Sequence, residues 1–375
     1  MAELPEILEV YKTARAGERM TLATVVKVRG SAYRRPGARM LITSDGRTIG
    51  AISGGCLESD VAERARKVLA TGQAVVVTYD ATTEHDLVYG LGMGCNGVTI
   101  VLIEPVEAGN TNGPLEFLAE CRARRQAGVI ATVLQKEGFG LWPVGARLML
   151  DAEGRLTGDT ECEDLSQMLL AEMRQIFCHR RSEAREISIG PGTKEVFFEF
   201  VPPPVSLVIF GAGYDALPLA SFAKQLGWQV TVVDHRPAYA TSERFPTADT
   251  VLCAHPGPLP ESVVMDADTV AMLMTHNYLH DKEWLGLLLP CPLQYIGILG
   301  PRTRTERLLG ELRAEGRVGD RSYLERLNYP AGLDIGAETP EEIALAVLAE
   351  VRAVLTGRSG GRLTSHNGPI HPIDS

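Results

Sequence analysis

The chain has 375 residues, a mass of 40.6 kDa and a formal charge of -10, from 37 Lys+Arg against 47 Asp+Glu. At about one domain per 150 residues this is enough chain for two or three cores, which excludes a single small module. The acidic balance argues against a protein that tracks nucleic-acid phosphates, and hydrophobic (45%) and charged (22%) fractions typical of soluble proteins argue against wholesale disorder.

In chain order, Leu4, Ile7, Leu8 and Tyr11 recur at helical spacing and predict an opening helix. Residues 23–50 (ATVVKVRGSAYRRPGARMLITSDGRTIG) then return, without a gap, as residues 131–158 (ATVLQKEGFGLWPVGARLMLDAEGRLTG). Ten of the 28 aligned positions are identical. In each copy a Gly-containing stretch, Thr43 to Gly46 and Asp151 to Gly154, separates two β-prone runs and predicts a hairpin. Each copy is followed by a helical pattern, on Leu57, Val61, Ala65 and Val68 and then on Leu165, Leu169, Met173 and Ile176. Each closes on an apolar strand running into proline, Ile100 to Pro105 and Val196 to Pro202. Residues 1–203 therefore read as an N-terminal α/β domain built from an internal duplication, with units of about 1–108 and 113–203.

The copies differ where chemistry is possible. The first continues as Ser53-Gly54-Gly55-Cys56-Leu57-Glu58 into a helix, and the second has Thr160-Glu161-Cys162-Glu163-Asp164 without the glycine pair. A thiol at a helix start, reached through glycines that leave backbone N–H groups open, stands in a setting that favours anions. The first copy also carries Cys95 within Gly90-Leu91-Gly92-Met93-Gly94-Cys95-Asn96-Gly97. Cys56 and Cys95 are the candidate catalytic thiols, with Gly54 and Gly55 as ligand-facing backbone. They are too few for a structural zinc site, and no metal is expected. The bland alternative for either cysteine is a small core residue.

Pro202-Pro203-Pro204 marks a boundary. Beyond it, the apolar run Val205 to Phe210 enters Gly211-Ala212-Gly213-Tyr214-Asp215-Ala216, a G-x-G-x-x-A turn leading to a helix that runs to Leu226. The strand from Gln229 then ends in Asp234, where the ribose-binding acid of a dinucleotide fold belongs. Strands at Asp249–Cys253, Thr269–Met274 and Tyr295–Leu299 continue the alternation, so residues 204–356 read as a Rossmann-like, doubly wound parallel sheet. His276 and Arg302, in the loops after the fourth and fifth strands, join Gly211, Gly213 and Asp234 as candidate ligand contacts. Thr339-Pro340-Glu341-Glu342 signals a capped last helix, and residues 357–375 read as a tail.

Seven scattered cysteines, with no signal-like segment before Pro5, favour a reducing cytoplasm over a disulfide framework, and no apolar run is long enough to span a bilayer. The fold alone allows an NAD(P)-dependent oxidoreductase. Against that, no His-plus-carboxylate or Tyr-x-x-x-Lys arrangement is legible for the proton that accompanies hydride transfer.

The motifs Ser53-Gly54-Gly55-Cys56-Leu57-Glu58, Phe210-Gly211-Ala212-Gly213 with Val230 to Asp234, Thr275-His276, Tyr295-Ile296-Gly297 and Gly332-Leu333-Asp334-Ile335-Gly336-Ala337, in this order, resemble the XdhC/CoxI family. The resemblance implies an accessory protein, rather than an enzyme, that binds the molybdenum cofactor as cargo. It further implies cooperation with a cysteine desulfurase and delivery of the cofactor to the apo-form of a xanthine dehydrogenase-type molybdenum hydroxylase. A homodimer is also expected. Two positions depart from the pattern: Tyr214 stands where the family often has histidine, and Asn277 where it often has aspartate.

Overall fold

The computed structural model describes residues 3–82, 97–134, 142–159, 163–189, 192–261, 263–318 and 325–365. The chain divides into two compact units, Glu3–Pro203 and Pro204–His366.

The first unit runs α1 (Leu4–Thr13), β1 (Arg19–Gly30), β2 (Arg39–Ile42), β3 (Thr48–Gly50), α2 (Glu58–Thr71), β4 (Val75–Asp80) and β5 (Gly97–Glu107). It then repeats that order as α3 (Pro114–Arg124), β6 (Gly128–Val133), β7 (Arg147–Asp151), β8 (Leu156–Gly158), α4 (Glu163–His179), β9 (Glu183–Ile189) and β10 (Gly192–Val201). The two antiparallel sheets have the same strand order, β3-β2-β1-β5-β4 and β8-β7-β6-β10-β9. The duplication read from the sequence is thus a duplication of fold. The predicted hairpins are β2–β3 and β7–β8.

Alternation along the strands decides which face meets which helix. Ala23 and Val25 of β1, with Met40 and Ile42 of β2, bury against Val61, Ala65 and Val68 of α2. The opposite face, Leu22 and Leu41, joins Ile130 and Met149 of the second sheet in one core with Ile7 and Leu8 of α1 and Leu118 of α3. In the second copy Leu169, Met173 and Ile176 of α4 cover the outer face. Neither β4 nor β9 is among the predicted elements, although Val75-Val76-Val77-Thr78-Tyr79 is a β-branched and aromatic run of the kind strands use. Each is an edge of its sheet, and the Glu183-Ala184-Arg185-Glu186 start of β9 is charged in the way that keeps an edge from pairing with other chains.

Two carboxylates lock the halves of this unit together. In β1 Leu22 pairs with Glu104, and in β6 Ile130 pairs with Glu199, so the two glutamates are equivalent, as are Arg39 and Arg147. Arg39 of the first copy bonds Glu199 of the second in a two-pronged fork of 2.9 and 2.5 Å, and Arg147 of the second bonds Glu104 of the first. All four side chains are buried, with at most 9% exposure. The arginine forks also bond the carbonyls of Gly37 and Gly145, both in the left-handed region. Burial lowers the Arg147 guanidinium to about 10, against the opposing pull of Asp159.

The second unit contains β11 (Ser206–Phe210), α5 (Ala216–Gln225), β12 (Gln229–Asp234), β13 (Thr250–Cys253), β14 (Thr269–Leu273), α6 (Tyr278–Leu288), β15 (Tyr295–Ile298), α7 (Arg302–Ala314), β16 (Leu327–Asn328) and α8 (Pro340–Leu355). Its strands order as β13-β12-β11-β14-β15-β16, all parallel, which is the 3-2-1-4-5-6 arrangement of dinucleotide-binding folds. The sequence predicts five strands and six are present. The sixth, β16, has only two residues, too few to show a period.

Leu207 and Ile209 of β11 pack towards α5 and α8, and Val208 and Phe210 pack towards α6 and α7. Both faces are therefore covered, which is why this strand is apolar at every position after Ser206. The last helix begins with the anticipated capping box, Thr339 accepting from the Glu342 N–H and Glu342 accepting from the Thr339 N–H.

Candidate functional site

In the first unit, Cys56 sits on the turn that feeds α2. Glu58 folds back across this turn: its carboxylate accepts from the backbone N–H of Ser53 at 2.8 Å and of Ile52 at 3.2 Å, and from the Ser53 hydroxyl. Ser53 Oγ in turn accepts from the N–H groups of Gly55 and Leu57, each at 3.1 Å, and stands 3.5 Å from Cys56 Sγ. Burial works to raise the Glu58 carboxyl, and the bonds from Ser53 and the backbone outweigh it, so the group lies below the usual carboxylate range.

The expectation of an open set of N–H donors is thereby corrected in part. Four of them, on Ile52, Ser53, Gly55 and Leu57, are taken up by Ser53 and Glu58, because a buried turn must satisfy its amides locally. The N–H groups of Gly54 and Cys56 are not part of this network. Gly55 has φ +116, a conformation reserved for glycine, and a side chain on Gly54 would meet the Tyr33 ring at 3.6 Å. Tyr33, 68% exposed, thus hangs over the turn, and no sequence pattern points to it. Cys56 itself is half-buried against the α2 core. Cys95 and its glycine loop, apart from Gly97, lie outside the described residues.

In the second unit the sequence-predicted contacts converge at the carboxyl ends of the parallel strands, where such sheets bind ligands. A Cβ on Gly211 would stand 2.4 Å from the Met274 carbonyl oxygen, so glycine is what lets the turn after β11 lie against the turn after β14. That contact brings His276 Nε2 to 2.9 Å from Asp215 Oδ2. His276 holds φ +56, unusual for a side-chain-bearing residue, and the turn is fixed by Thr275, bonded to buried Asp281, and by Asn277, which caps α6. Asp215, committed to His276, gives no side-chain cap to α5, whose N-terminus faces the crevice. This histidine–carboxylate pair is the arrangement the sequence does not reveal, since its members are 61 residues apart.

Asp234 ends β12 as expected and is nearly inaccessible, with a side-chain exposure of 1%. Burial opposes its charge, but donors from Arg236 and the Ala212 amide prevail and lower it to about 2. Arg302 is exposed at the first position of α7, its guanidinium 5.5 Å from the Tyr329 ring.

One cavity involves none of these residues. About 570 Å³ opens over the Arg147–Glu104 pair, bordered by Tyr11, Asn110, Asn112, Gly145 and Asp159. Over the equivalent Arg39 only about 10 Å³ remains, because Glu3, Leu4 and Ile7 cover it and Glu3 pairs with Arg34. The position equivalent to Arg34 is Trp142, which turns into the core. Among the described residues no three His, Cys, Asp or Glu side chains group to hold a metal ion, and no helix is long and apolar enough to cross a membrane.

Comparison with known proteins gives the family. Residues 207–351 match the XdhC Rossmann domain, and residues 13–80 match the XdhC and CoxI family. A probable xanthine dehydrogenase subunit from Bacillus subtilis (strain 168) is 33% identical over 345 residues, covering 89% of this chain and 92% of that protein. The molybdenum cofactor insertion chaperone PaoD of Escherichia coli (strain K12) is 25% identical over 341 residues, covering 90% and 84%. A crystal structure described as a xanthine dehydrogenase from Bacillus halodurans superposes with a TM-score of 0.77 at 30% identity, covering 98% of both chains. With its parallel six-stranded unit, its duplicated antiparallel unit and these relatives, the chain belongs to the XdhC and CoxI family.

Proposed function

We propose that the protein binds the molybdenum cofactor and assists its sulfuration and insertion into a xanthine dehydrogenase-type molybdenum hydroxylase. The observation that carries this reading is the Cys56 turn: a half-buried thiol at the head of α2, its loop fixed from behind by Ser53 and Glu58 and overhung by the Tyr33 ring. A soft sulfur ligand on a rigid turn suits a molybdenum centre, and the uncapped start of α5 with the Gly211–Gly213 turn suits a phosphate. Likeness to an insertion chaperone along most of the chain supports the same reading.

In this reading Cys56, with Cys95 as second candidate, contacts the cofactor or relays sulfur to it. In the first unit Gly54 and Gly55 face the cofactor; in the second unit, taken by itself, Gly211, Gly213, Asp234, His276 and Arg302 bind a nucleotide or a phosphate. The partners are the apo-hydroxylase and a cysteine desulfurase, the protein acts as a homodimer in the cytoplasm, and it is a maturation factor rather than an enzyme. Molybdopterin content after purification, and activation of apo-hydroxylase, are to be compared between the wild type and Cys56→Ala. The variant is expected to lose most of the activation, and equal loading with equal activation would remove the cysteine from the mechanism.

The Asp215–His276 pair favours a second reading, an NAD(P)-dependent oxidoreductase, because it can move a proton beside a bound nucleotide. Turnover of reduced nicotinamide that is lost in His276→Ala would establish that reading in place of the first.

A further inference from the structure

The carboxyl end of β12 places Asp234 against Arg236. In a dinucleotide fold the acid at this point takes the ribose hydroxyls, whereas a nearby arginine takes a 2′-phosphate instead. Asp234 has no capacity left for hydroxyls. Its Oδ2 accepts from the Ala212 N–H and from Arg236 Nη2, both at 2.7 Å, and its Oδ1 accepts from the Arg236 N–H and Nε, both at 2.9 Å. Four bonds fill the roughly four lone-pair positions of a carboxylate, and His235 Nδ1 stands a further 3.3 Å from Oδ1.

Around this closed acid stand two guanidiniums, those of Arg236 and Arg244. Arg236, with 38% of its side chain exposed, lies 3.9 Å over the Tyr239 ring. Arg244 lies over the same ring at 4.8 Å and at 5.4 Å from the ring of Tyr214, and it donates to the Ala212 carbonyl at 3.3 Å. Arg244 Nε is buried and has no partner, as is Nδ1 of His280. The rings of His235, His255 and His280 stand 4.3 to 6.0 Å from one another, and burial with the two neighbouring imidazoles holds His280 below the usual histidine range. Two guanidiniums stiffened on aromatic rings, one of them with an orphaned donor, suit an anion with several acceptor oxygens.

We infer that this subsite binds a phosphate monoester, as on a 2′-phosphorylated nucleotide, and that Asp234 acts as a positioning residue that aims Arg236 rather than as a ribose acceptor. The inference deepens the nucleotide side of the proposed function and rests on it.

The test is calorimetric titration of the full chain with 2′-phospho-ADP-ribose and with ADP-ribose, at one fixed salt concentration. The 2′-phosphorylated probe is expected to bind about tenfold tighter or more, the worth of one or two charge-assisted hydrogen bonds. In Arg244→Gln, which leaves the Asp234 clamp in place, that preference should disappear while ADP-ribose affinity stays within about threefold of wild type. In Arg236→Gln the freed Asp234 should reverse the preference.

Equal affinities in the wild type, tighter binding of ADP-ribose, or no binding of either probe would overturn the inference. Molybdopterin loading, measured on the same preparations, separates these outcomes from failure of the carrier function itself.

Discussion

Replacing Glu199 by Gln should unfold the first unit at markedly lower denaturant. The substitution keeps the shape of the side chain and removes its charge, which takes the carboxylate away from an Arg39 guanidinium buried at 5% exposure. Removing one member of a buried pair costs about 3–5 kcal/mol. With a urea dependence near the upper part of the usual range, about 2–3 kcal/mol per M, the midpoint should fall by roughly 1–2 M.

Trp142 is buried in this unit, and the other two tryptophans, Trp228 and Trp284, belong to the second unit. Fluorescence in a Trp228→Phe/Trp284→Phe background therefore follows the first unit alone. The combined Arg39→Met/Glu199→Leu variant should recover most of the loss, because two apolar groups leave no charge stranded. Glu104→Gln should destabilise in the same direction, since register makes the two acids equivalent, but by less than Glu199→Gln, because the cavity over Arg147 lets water reach the stranded charge. A shift below about 1 kcal/mol in either single variant would refute the claim that these pairs hold the halves together.

Two further outcomes are expected. Gly211→Ala should destabilise the second unit by about 3 kcal/mol or more, because it adds strain at φ +116 to a Cβ 2.4 Å from the Met274 carbonyl, and thermal melting compared with a surface Gly310→Ala control measures it. The depressed Asp234 carboxyl makes stability depend on pH: its folded value, about 2, is below the unfolded value of about 3.9, so its contribution is complete above about pH 4 and is lost as pH falls towards 2. Denaturation of wild type and Asp234→Asn should differ most at neutral pH and converge in acid, and a difference independent of pH would contradict this assignment.

The features that can be read from the chain are those enforced locally. The duplication is visible because backbone conformation demands glycine at Gly37, Gly46 and Gly50 and again at Gly145, Gly154 and Gly158, all with positive φ, while Arg39 and Arg147 must form the buried forks. The dinucleotide-type fold is visible because strand, glycine turn, helix and acid succeed one another at fixed spacing.

What stays hidden depends on partners distant in the chain. Glu104 and Glu199 lie outside the 28 aligned positions, and their arginines stand 43 residues away for Arg147–Glu104 and 160 for Arg39–Glu199, separations that follow no recognisable pattern. Likewise Asp215 and His276 meet only when two strand-end turns close on each other. Glu58 looks like an ordinary first-turn acid until its carboxylate is seen to bond amides five and six residues back. The saturation of Asp234 does have a local sign, Arg236 two residues on, which spacing rules for the acid do not consider.

The crossed Arg39–Glu199 and Arg147–Glu104 pairs have the form of a two-fold interface, in which one residue meets a second and the second's counterpart meets the first's. Here both sides of that interface are on one chain. The short connection between the copies gives each half an effective concentration of the other on the order of millimolar, so their association does not dilute as two separate subunits would. A tethered pair also escapes the symmetry of a dimer of identical subunits: Arg34 and Trp142 can differ, one half can keep the Cys56 turn, and the other can be left open over Arg147 without any change in the first.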